Sequence, residues 1–188
     1  PTRRSSDLST ITTTYNGDGQ PVQIGNLELA YSYPSGRLST TELDQISDFR
    51  TYDSFGNLAT YESYYNPTIG APELRYSYSL TRDSMSRIIA RSETILGVTT
   101  NYSYSYDTAG RLITVLRNSN ASSSYVYDSN SNRTSGAISG HAFTSTFDDQ
   151  DRVLTMNSRV YYHNNNGDVT RVESNSAQAV DYSYNSLG

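Results

Sequence analysis

A tyrosine-rich phrase recurs along the whole chain and constrains the fold more than any other feature. The clearest copy, YSYDTAGRL, occupies residues 104–112, and its core recurs as YDSFGNL at residues 52–58 and as YNGDG at residues 15–19. A further copy begins at Tyr182 and runs to the last residue. A recurrence at about 20 residues is typical of repeat architectures, in which each unit buries its face only against its neighbours. The function of such a chain belongs to the array more than to any one residue.

Weaker copies fill the intervals, and together the copies place a turn position, usually glycine, at nine points. The copy at residues 31–38, YSYPSGRL, reads as one residue short. The separations between successive turn positions are 17, 20, 30, 24, 21, 20, 16 and 21 residues. The turn positions are Gly19, Gly36, Gly56, Ser86, Gly110, Ser131, Asp151, Gly167 and Gly188.

Each copy has the residue chemistry of a β-hairpin corner. Tyrosine at alternate positions puts the rings on one face of a strand, and tyrosine is a good strand former. Asp or Asn at the first turn position and Gly at the fourth match a type I turn, and Gly can take the left-handed conformation that closes a three-residue hairpin. Two strands of about seven residues with a turn at each end account for the period. The sequence therefore predicts an all-β fold, an antiparallel meander of repeated β-hairpins.

The chain between these corners reads as further strands. Residues 40–46 form the only weak helical candidate, and their β-branched neighbours argue against a helix there. Strand-like runs cover residues 22–33, 74–80, 88–95, 98–106, 112–116 and 169–172.

The candidate functional residues are the repeat positions themselves, and the role predicted for them is structural. We expect each arginine that follows a turn to stack on a tyrosine of the neighbouring repeat, or to pair with the aspartate of that repeat. No catalytic, cofactor-binding or metal-binding residue is predicted. The structural positions are Tyr15, Gly19, Gly36, Arg37, Tyr52, Asp53, Gly56, Tyr104, Tyr106, Asp107, Gly110, Arg111, Tyr125, Tyr127, Asp128, Arg133, Asp148, Arg152, Gly167 and Tyr184.

The composition bounds the class of protein. Leu, Ile, Val and Phe are as scarce as in disordered chains, but the 18 Tyr lie in register and supply the missing apolar area, so we expect a thin, tyrosine-rich core. The net charge is −5 and all 14 basic residues are scattered arginines, which argues against nucleic acid as a partner. The chain has no cysteine, and no apolar run approaches the roughly 20 residues of a membrane span.

The phrase YDTAGRL at residues 106–112 resembles the YD repeat of Rhs proteins, which are large bacterial exported or surface proteins. The same repeat occurs in the shell-forming components of insecticidal toxin complexes and in the extracellular part of teneurins. The resemblance covers essentially everything from Tyr15 onward. It implies a curved β-sheet strip that spirals into a hollow shell, and in many family members the shell encloses a variable C-terminal toxin.

By this resemblance, the chain is a non-enzymatic structural segment of a large secreted or cell-surface protein. The implied partners are the rest of its own repeat array and a covalently linked C-terminal effector. The conserved family core that terminates the shell, which often carries an aspartate-dependent self-cleavage site, is not recognisable in this sequence.

The first eight residues, PTRRSSDL, look foreign to the repeat pattern. They resemble the translation of a common sequencing-adapter sequence, and we therefore leave residues 1–8 out of the fold. We expect residues 9–188 to form the YD-repeat array, truncated at both ends.

Catalysis would have to involve one of the two histidines. A hydrolase needs His141 or His163 in a cleft beside a carboxylate. His163 occupies a repeat tyrosine position, and His141 follows Ser139 and Gly140 as a turn residue would. Both patterns favour a structural interpretation.

Two oxygen-rich segments are weaker candidates for chemistry. The segment DSNSN at residues 128–132 resembles the start of a calcium loop, but it lacks the glycine and the bidentate glutamate that such a loop requires. Asp148, Asp149 and Asp151 cluster, yet Asp148 and Asp151 fall on turn positions, which favours a solvated turn.

The alternative function is a carbohydrate-binding or protein-binding, adhesin-like module that uses exposed tyrosines. The two hypotheses differ in what they require of Tyr104, Tyr106, Tyr125 and Tyr127. A wall segment needs these rings packed on adjacent strands, whereas a binding module needs them as a contiguous exposed row.

Overall fold

A computed structural model describes residues 11–175 and 177–185. All secondary-structure elements within these ranges are β-strands. The predicted all-β class is therefore confirmed. Residues 1–8, which we expected to be foreign, and the turn position Gly188 lie outside the described residues. Within the described ranges, no helix has the length and apolar character needed to span a membrane.

The chain divides into two compact units, Pro1–Asn101 and Tyr102–Gly188. Strand β9 (Val98–Tyr106) contains the boundary between them. The strands of the first unit are β1 (Thr13–Tyr15), β2 (Pro21–Ile24), β3 (Leu27–Ser32), β4 (Arg37–Leu43), β5 (Ile46–Tyr52), β6 (Leu58–Tyr65), β7 (Glu73–Arg82) and β8 (Ile88–Ile95). Those of the second are β10 (Leu112–Arg117), β11 (Asn120–Tyr127), β12 (Arg133–Ile138), β13 (His141–Phe147), β14 (Val153–Met156), β15 (Arg159–His163), β16 (Val169–Ser174) and β17 (Ala177–Asp181).

Each strand pairs with the next one along the chain. In the first unit, β1 to β8 form consecutive antiparallel pairs. In the second unit, the same holds from the last residues of β9 to β17. Both units are therefore meanders of hairpins, as the repeated corners predict.

Two kinds of turn alternate along each meander. The tyrosine-rich corners join odd-numbered strands to even-numbered ones, and mostly two-residue turns join even-numbered strands to the next odd-numbered ones. In the two-residue turns both residues can have positive φ, as at Leu96 (48°) and Gly97 (82°), which is the geometry of a type I′ turn. The sequence analysis treated residues 22–33 as one strand-like run and so missed one of these tight turns. Gly25 and Asn26 form that turn and separate β2 from β3. His141, expected in a turn, is instead the first residue of β13.

The core is thin, in agreement with the scarcity of aliphatic residues. Among the described residues, only Phe143 (7 % exposed) and Ser47 (4 % exposed) are buried. Phe143 lies opposite Gly136 in the β12–β13 pair, and Gly136 lies opposite Tyr125 in the β11–β12 pair. A Cβ atom on Gly136 would lie 2.9 Å from the Phe143 ring and closer still to the carbonyl oxygen of Ser124. Gly136 is therefore the residue that lets the Phe143 ring close over the sheet.

Candidate functional site

The tyrosine-rich corners form a row of loops at one end of the strands in each unit. Antiparallel pairing reverses the chain at every turn, so all connections from an odd-numbered to an even-numbered strand lie at the same end. We call these connections repeat loops and number their residues from the Asp or Asn that opens them. They comprise residues 16–20, 53–57 and 83–87 and the variant loop 32–37 in the first unit, and 107–111, 128–132, 148–152 and 164–168 in the second.

The residue that opens a repeat loop, usually an aspartate, closes the loop with hydrogen bonds. In loop 107–111, the Gly110 N–H donates to the carbonyl oxygen of Asp107 over 3.0 Å, which is the bond of a type I turn. The Arg111 N–H donates to Asp107 Oδ1 over 2.8 Å, and Arg111 Nε donates to Asp107 Oδ2 over 2.7 Å. One carboxylate thus fixes both the backbone and the side chain of the fifth residue.

The same bonding pattern recurs in the other five-residue loops with different fifth residues. Arg87 and Arg152 close their loops as Arg111 does, each with Nε 2.7 Å from the opening carboxylate. Asn57 and Asn132 do so with an amide, over 3.1 Å in each case. The opening residue is an asparagine in two loops, where Asn16 bonds to Gln20 and Asn164 bonds to Asp168.

The carboxylates of Asp107 and Asp148 have lowered pKa values because their loops donate hydrogen bonds to them. For Asp107, the hydrogen bond from the Arg111 backbone and then that from the Arg111 side chain hold the pKa below its usual value. For Asp148, the Arg152 side chain is the first cause and the Arg152 backbone N–H the second. These carboxylates are therefore structural anions, held ionised by the loop they close.

All described turn positions have the left-handed backbone that a positive φ defines. The φ is 82° at Gly110, and Ser131 at 73° shows that a residue other than glycine can occupy this position. The others are Gly19 (76°), Gly36 (65°), Gly56 (83°), Ser86 (62°), Asp151 (61°) and Gly167 (92°).

The fifth residue of one loop also contacts the following loop. Arg111 stacks over the Tyr127 ring with its guanidinium carbon 4.7 Å from the ring centroid, and its Nη1 donates to the carbonyl oxygen of Asp128 over 2.8 Å. The predicted stacking on the neighbouring tyrosine is observed. Of the two alternatives that the sequence left open, Arg111 takes the stacking, and its ion pair is with the carboxylate of its own loop, Asp107.

Equivalent contacts connect other pairs of consecutive loops. Gln20 Nε2 donates to the carbonyl oxygen of Gly36 over 2.7 Å, and Asn132 Nδ2 donates to Asp151 Oδ1 over 2.6 Å. Arg37 stacks over Tyr52 at 5.7 Å, and its guanidinium lies against Gly56. We call this succession of contacts the loop ladder.

A second series of contacts comes from the tyrosine that precedes a loop. The Tyr127 hydroxyl donates to the carbonyl oxygen of Leu112, the residue that follows the preceding loop, over 2.8 Å. Tyr52 makes the same bond to Leu38, and Tyr184 makes it to Val169. Tyr31, absent from the predicted positions, bonds Pro21 in the same way over 2.7 Å. Each of these hydroxyls ties one hairpin to the one before it.

The variant loop shows where the alignment of the sequence was wrong. Residues 31–38 looked one residue short when Tyr33 was taken as the repeat tyrosine. In the structure the hydroxyl that bonds the preceding hairpin belongs to Tyr31, which donates to the Pro21 carbonyl. Ser32 takes the place of the opening aspartate, and the Gly36 N–H donates to the Ser32 carbonyl over 2.8 Å. The loop is therefore one residue longer than the others, and Tyr33 is 98 % exposed.

The remaining predicted positions differ in their surroundings. Tyr104, Tyr106, Tyr125 and Tyr127 are half-buried, so they do not form an exposed aromatic row, whereas Tyr15 is 62 % exposed. With Asp128 counted as the first residue of its loop, Arg133 is the sixth and lies just beyond the fifth, and its guanidinium lies 4.3 Å from the centroid of Tyr125.

The sequence analysis missed the polar fifth residues that close the loops, of which Gln20 and Asn132 also contact the following loop. Gln20, Asn57, Asn132 and Asp168 were not among the predicted positions. Their signal was present, because a polar residue directly follows the turn position in each of these copies.

The residues of the weaker candidates occupy exposed or half-buried positions of strands and loops. Within residues 11–175 and 177–185, no group of three or more His, Asp or Glu side chains could hold a metal ion. His141 is exposed and His163 is half-buried. The Asp128 carboxylate of the calcium-like segment accepts the N–H groups of Asn130 and Asn132, and Asp151 accepts the amides of the same two residues.

The comparisons with solved structures show the same fold in parts of toxin-complex proteins. The chain matches the crystal structure of TcdB2–TccC3–Cdc42 with a TM-score of 0.63 and 16 % identity, over 83 % of this chain and 9 % of that one. It matches a Photorhabdus luminescens Tc holotoxin pore with a TM-score of 0.64 and 14 % identity, over 89 % of this chain and 11 % of that one. The chain thus spans about a tenth of the length of these structures. A search among curated protein sequences finds no match.

A family model also matches the sequence along almost its whole length. The Teneurin YD-shell family model covers residues 2–188, which is nearly the entire chain. This match agrees with the repeat loops, the meander of hairpins and the fold of the toxin-complex neighbours. The chain belongs to the Teneurin YD-shell family.

Proposed function

We propose that this chain is a non-enzymatic wall segment of a large secreted or cell-surface protein, in which it helps to enclose or present a C-terminal effector. The observation that carries this proposal is the loop ladder. Contacts that repeat from one hairpin to the next, through loops and tyrosine hydroxyls, suit an element whose task is to extend a sheet. The effector and the extracellular location are inferred from the resemblance of the repeats to those of Rhs proteins, and one structural neighbour is a Tc holotoxin pore.

The internal bonding of the repeat loops supports a structural role over a catalytic one. Two carboxylates of the repeat loops are already engaged in ion pairs, Asp107 with Arg111 and Asp148 with Arg152. A general base must instead be within reach of a substrate proton.

Protease protection tests the enclosing role. The complete gene product that carries this chain would be treated with a broad-specificity protease, and cleavage of the segment that follows the repeats would be measured by mass spectrometry. We expect that segment to resist cleavage in the native protein and to be cleaved after acid unfolding. Equal rates of cleavage in the two states would contradict enclosure.

Recognition of carbohydrate is a second candidate function, and exposed aromatic rings at adjacent loops favour it. Tyr33 and Phe55 are 98 % and 85 % exposed and lie in consecutive loops. Aromatic rings at such positions can stack on sugars. A glycan array probed with the wild-type chain and with a Tyr33→Ala, Phe55→Ala double variant would test this, and binding that both proteins share would contradict it.

A further inference from the structure

Among the described residues, three tyrosine–glutamate pairs lie on the strands, and in two of them an arginine also bonds the glutamate. The Tyr76 hydroxyl donates to Glu93 over 3.0 Å, and Arg91 pairs with the same carboxylate. The Tyr162 hydroxyl donates to Glu173 Oε2 over 2.9 Å, and Arg171 Nε lies 2.8 Å from Glu173 Oε1. In both pairs the carboxylate accepts a hydrogen bond from a neutral hydroxyl and forms an ion pair with a guanidinium.

The third pair lacks the arginine. The Tyr64 hydroxyl donates to Glu62 Oε2 over 2.9 Å, and this bond raises the pKa of Tyr64. Glu62 is half-buried, and no ion pair to it occurs among the residues that the structure describes. Its second oxygen is left without the cation that the other two pairs have.

The sequence of β6 explains the difference. On the strands, the arginine that pairs with a glutamate lies two residues away on the same face, as Arg91 does from Glu93 and Arg171 from Glu173. The residues two positions from Glu62 are Thr60 and Tyr64, and the Thr60 hydroxyl is bonded to Thr51 at 2.7 Å. The strand therefore supplies the tyrosine but no guanidinium.

Glu62 lines an open cavity whose other walls suit a flat cation. The cavity has a volume of about 340 Å³ and is lined by Ser47, Phe49, Glu62, Tyr64, Asn66 and Pro72. Phe49 lies opposite Glu62 in the β5–β6 pair, is 41 % exposed, and meets Tyr64 edge to face at 5.8 Å between centroids. Aromatic faces beside a carboxylate attract a cation through the ring quadrupole as well as through the charge.

The amide in the cavity adds a hydrogen-bond acceptor. Asn66 Nδ2 donates to Ser47 Oγ over 2.9 Å, which leaves the Asn66 carbonyl oxygen as an acceptor. A guanidinium has five N–H donors in a planar fork and can bond a carboxylate and an amide oxygen together.

We propose that the Glu62 cavity binds a guanidinium group, presented as an arginine side chain by another polypeptide. The incoming group takes the place on Glu62 that Arg91 and Arg171 take on Glu93 and Glu173. This inference rests on the cavity and on the comparison of the three pairs, and does not depend on the wall function.

Calorimetric titration of the whole chain tests the site, with Nα-acetyl-arginine methylamide as the probe. We expect saturable binding of this probe, and binding at least about tenfold weaker for the citrulline analogue, because its ureido group can donate hydrogen bonds but carries no charge to pair with Glu62. The lysine analogue should also bind more weakly, since its ammonium cannot reproduce the planar fork. No saturable binding of the arginine probe, or equal binding of the lysine analogue, would overturn the assignment.

Variants identify the residues responsible. Glu62→Gln should weaken binding of the arginine probe about tenfold or more, whereas Glu173→Gln, which changes the pair that already holds Arg171, should leave it within twofold. Thr60→Arg should supply an internal guanidinium and abolish binding while the far-ultraviolet circular dichroism stays unchanged. This variant keeps the test decisive if Glu62→Gln fails to fold. Unchanged affinity in either Glu62→Gln or Thr60→Arg would contradict the proposal.

Discussion

The hydroxyl of Tyr127 donates a 2.8 Å hydrogen bond to the backbone carbonyl of Leu112, and so ties one hairpin to the hairpin before it. Replacing Tyr127 by Phe removes this donor and keeps the ring. We expect Tyr127→Phe to lower the free energy of unfolding by about 0.5–1.5 kcal/mol, the usual worth of one such bond. Urea denaturation followed by circular dichroism measures this change. The control is Tyr33→Phe, since Tyr33 is fully exposed. An equal loss of unfolding free energy in both variants would show that the Tyr127 hydrogen bond does not stabilise the chain.

Gly136 is required because the Phe143 ring covers it. Gly136→Ala would place a methyl group 2.9 Å from that ring and even closer to the Ser124 carbonyl. We expect a loss of about 1–3 kcal/mol in the free energy of unfolding, as for other overpacked sites. Gly17→Ala is the matched control, because no atom lies within 4 Å of the methyl group it adds. Similar melting temperatures for the two variants would be inconsistent with this packing.

The left-handed turn position of loop 107–111 predicts a strong effect of a β-branched residue. Gly110 has a φ of 82°, where valine is strained, so Gly110→Val should destabilise the chain by about 1–3 kcal/mol. Ala109→Val, at the exposed neighbouring position, should cost much less. Thermal melting of both variants makes the comparison, and an unchanged melting temperature in Gly110→Val would contradict the loop geometry.

The lowered pKa values of four opening aspartates, Asp53, Asp83, Asp107 and Asp148, predict a loss of stability in acid. Their folded-state pKa lies below the unfolded value of about 3.9, so their contribution is fully present above that pH and is lost as the pH falls through the folded pKa. Thermal melting between neutral pH and pH 2 should show a steep drop in melting temperature below about pH 4. A melting temperature that stays level down to pH 2 would show that the loop carboxylates do not contribute.

The corners could be predicted from the sequence because their chemistry is local. Asp107 and Gly110 have the spacing of a type I turn, and Tyr104 and Tyr106 alternate as strand residues do, so the all-β meander follows without tertiary information. The break at Leu96 and Gly97 was also predicted, since the strand-like runs 88–95 and 98–106 end on either side of it. The tight turn at Gly25 and Asn26 was missed, because it interrupts a longer strand-like run, and Gly25 has a positive φ of 58° there.

The contacts between repeats were harder to predict than the repeats themselves. The role of Asn132 depends on its distance from Asp151, which lies 19 residues away, and no local pattern encodes that distance. The Glu62 cavity also depends on pairing, because Phe49 and Glu62 meet only across the β5–β6 register. Residues that act across strands are therefore the ones that the sequence alone left out.

The central claim is that consecutive hairpins are held together by contacts between their loops, and a double-mutant cycle on Arg111 and Tyr127 tests it most directly. The Arg111 guanidinium stacks over the Tyr127 ring at 4.7 Å. The variants Arg111→Ala and Tyr127→Ala, singly and together, should give a coupling energy of about 0.5–1 kcal/mol in urea denaturation. The control cycle pairs Arg111→Ala with Tyr184→Ala, since the Tyr184 hydroxyl bonds Val169 instead, and its coupling should be near zero. Additive effects of Arg111→Ala and Tyr127→Ala would contradict the claim.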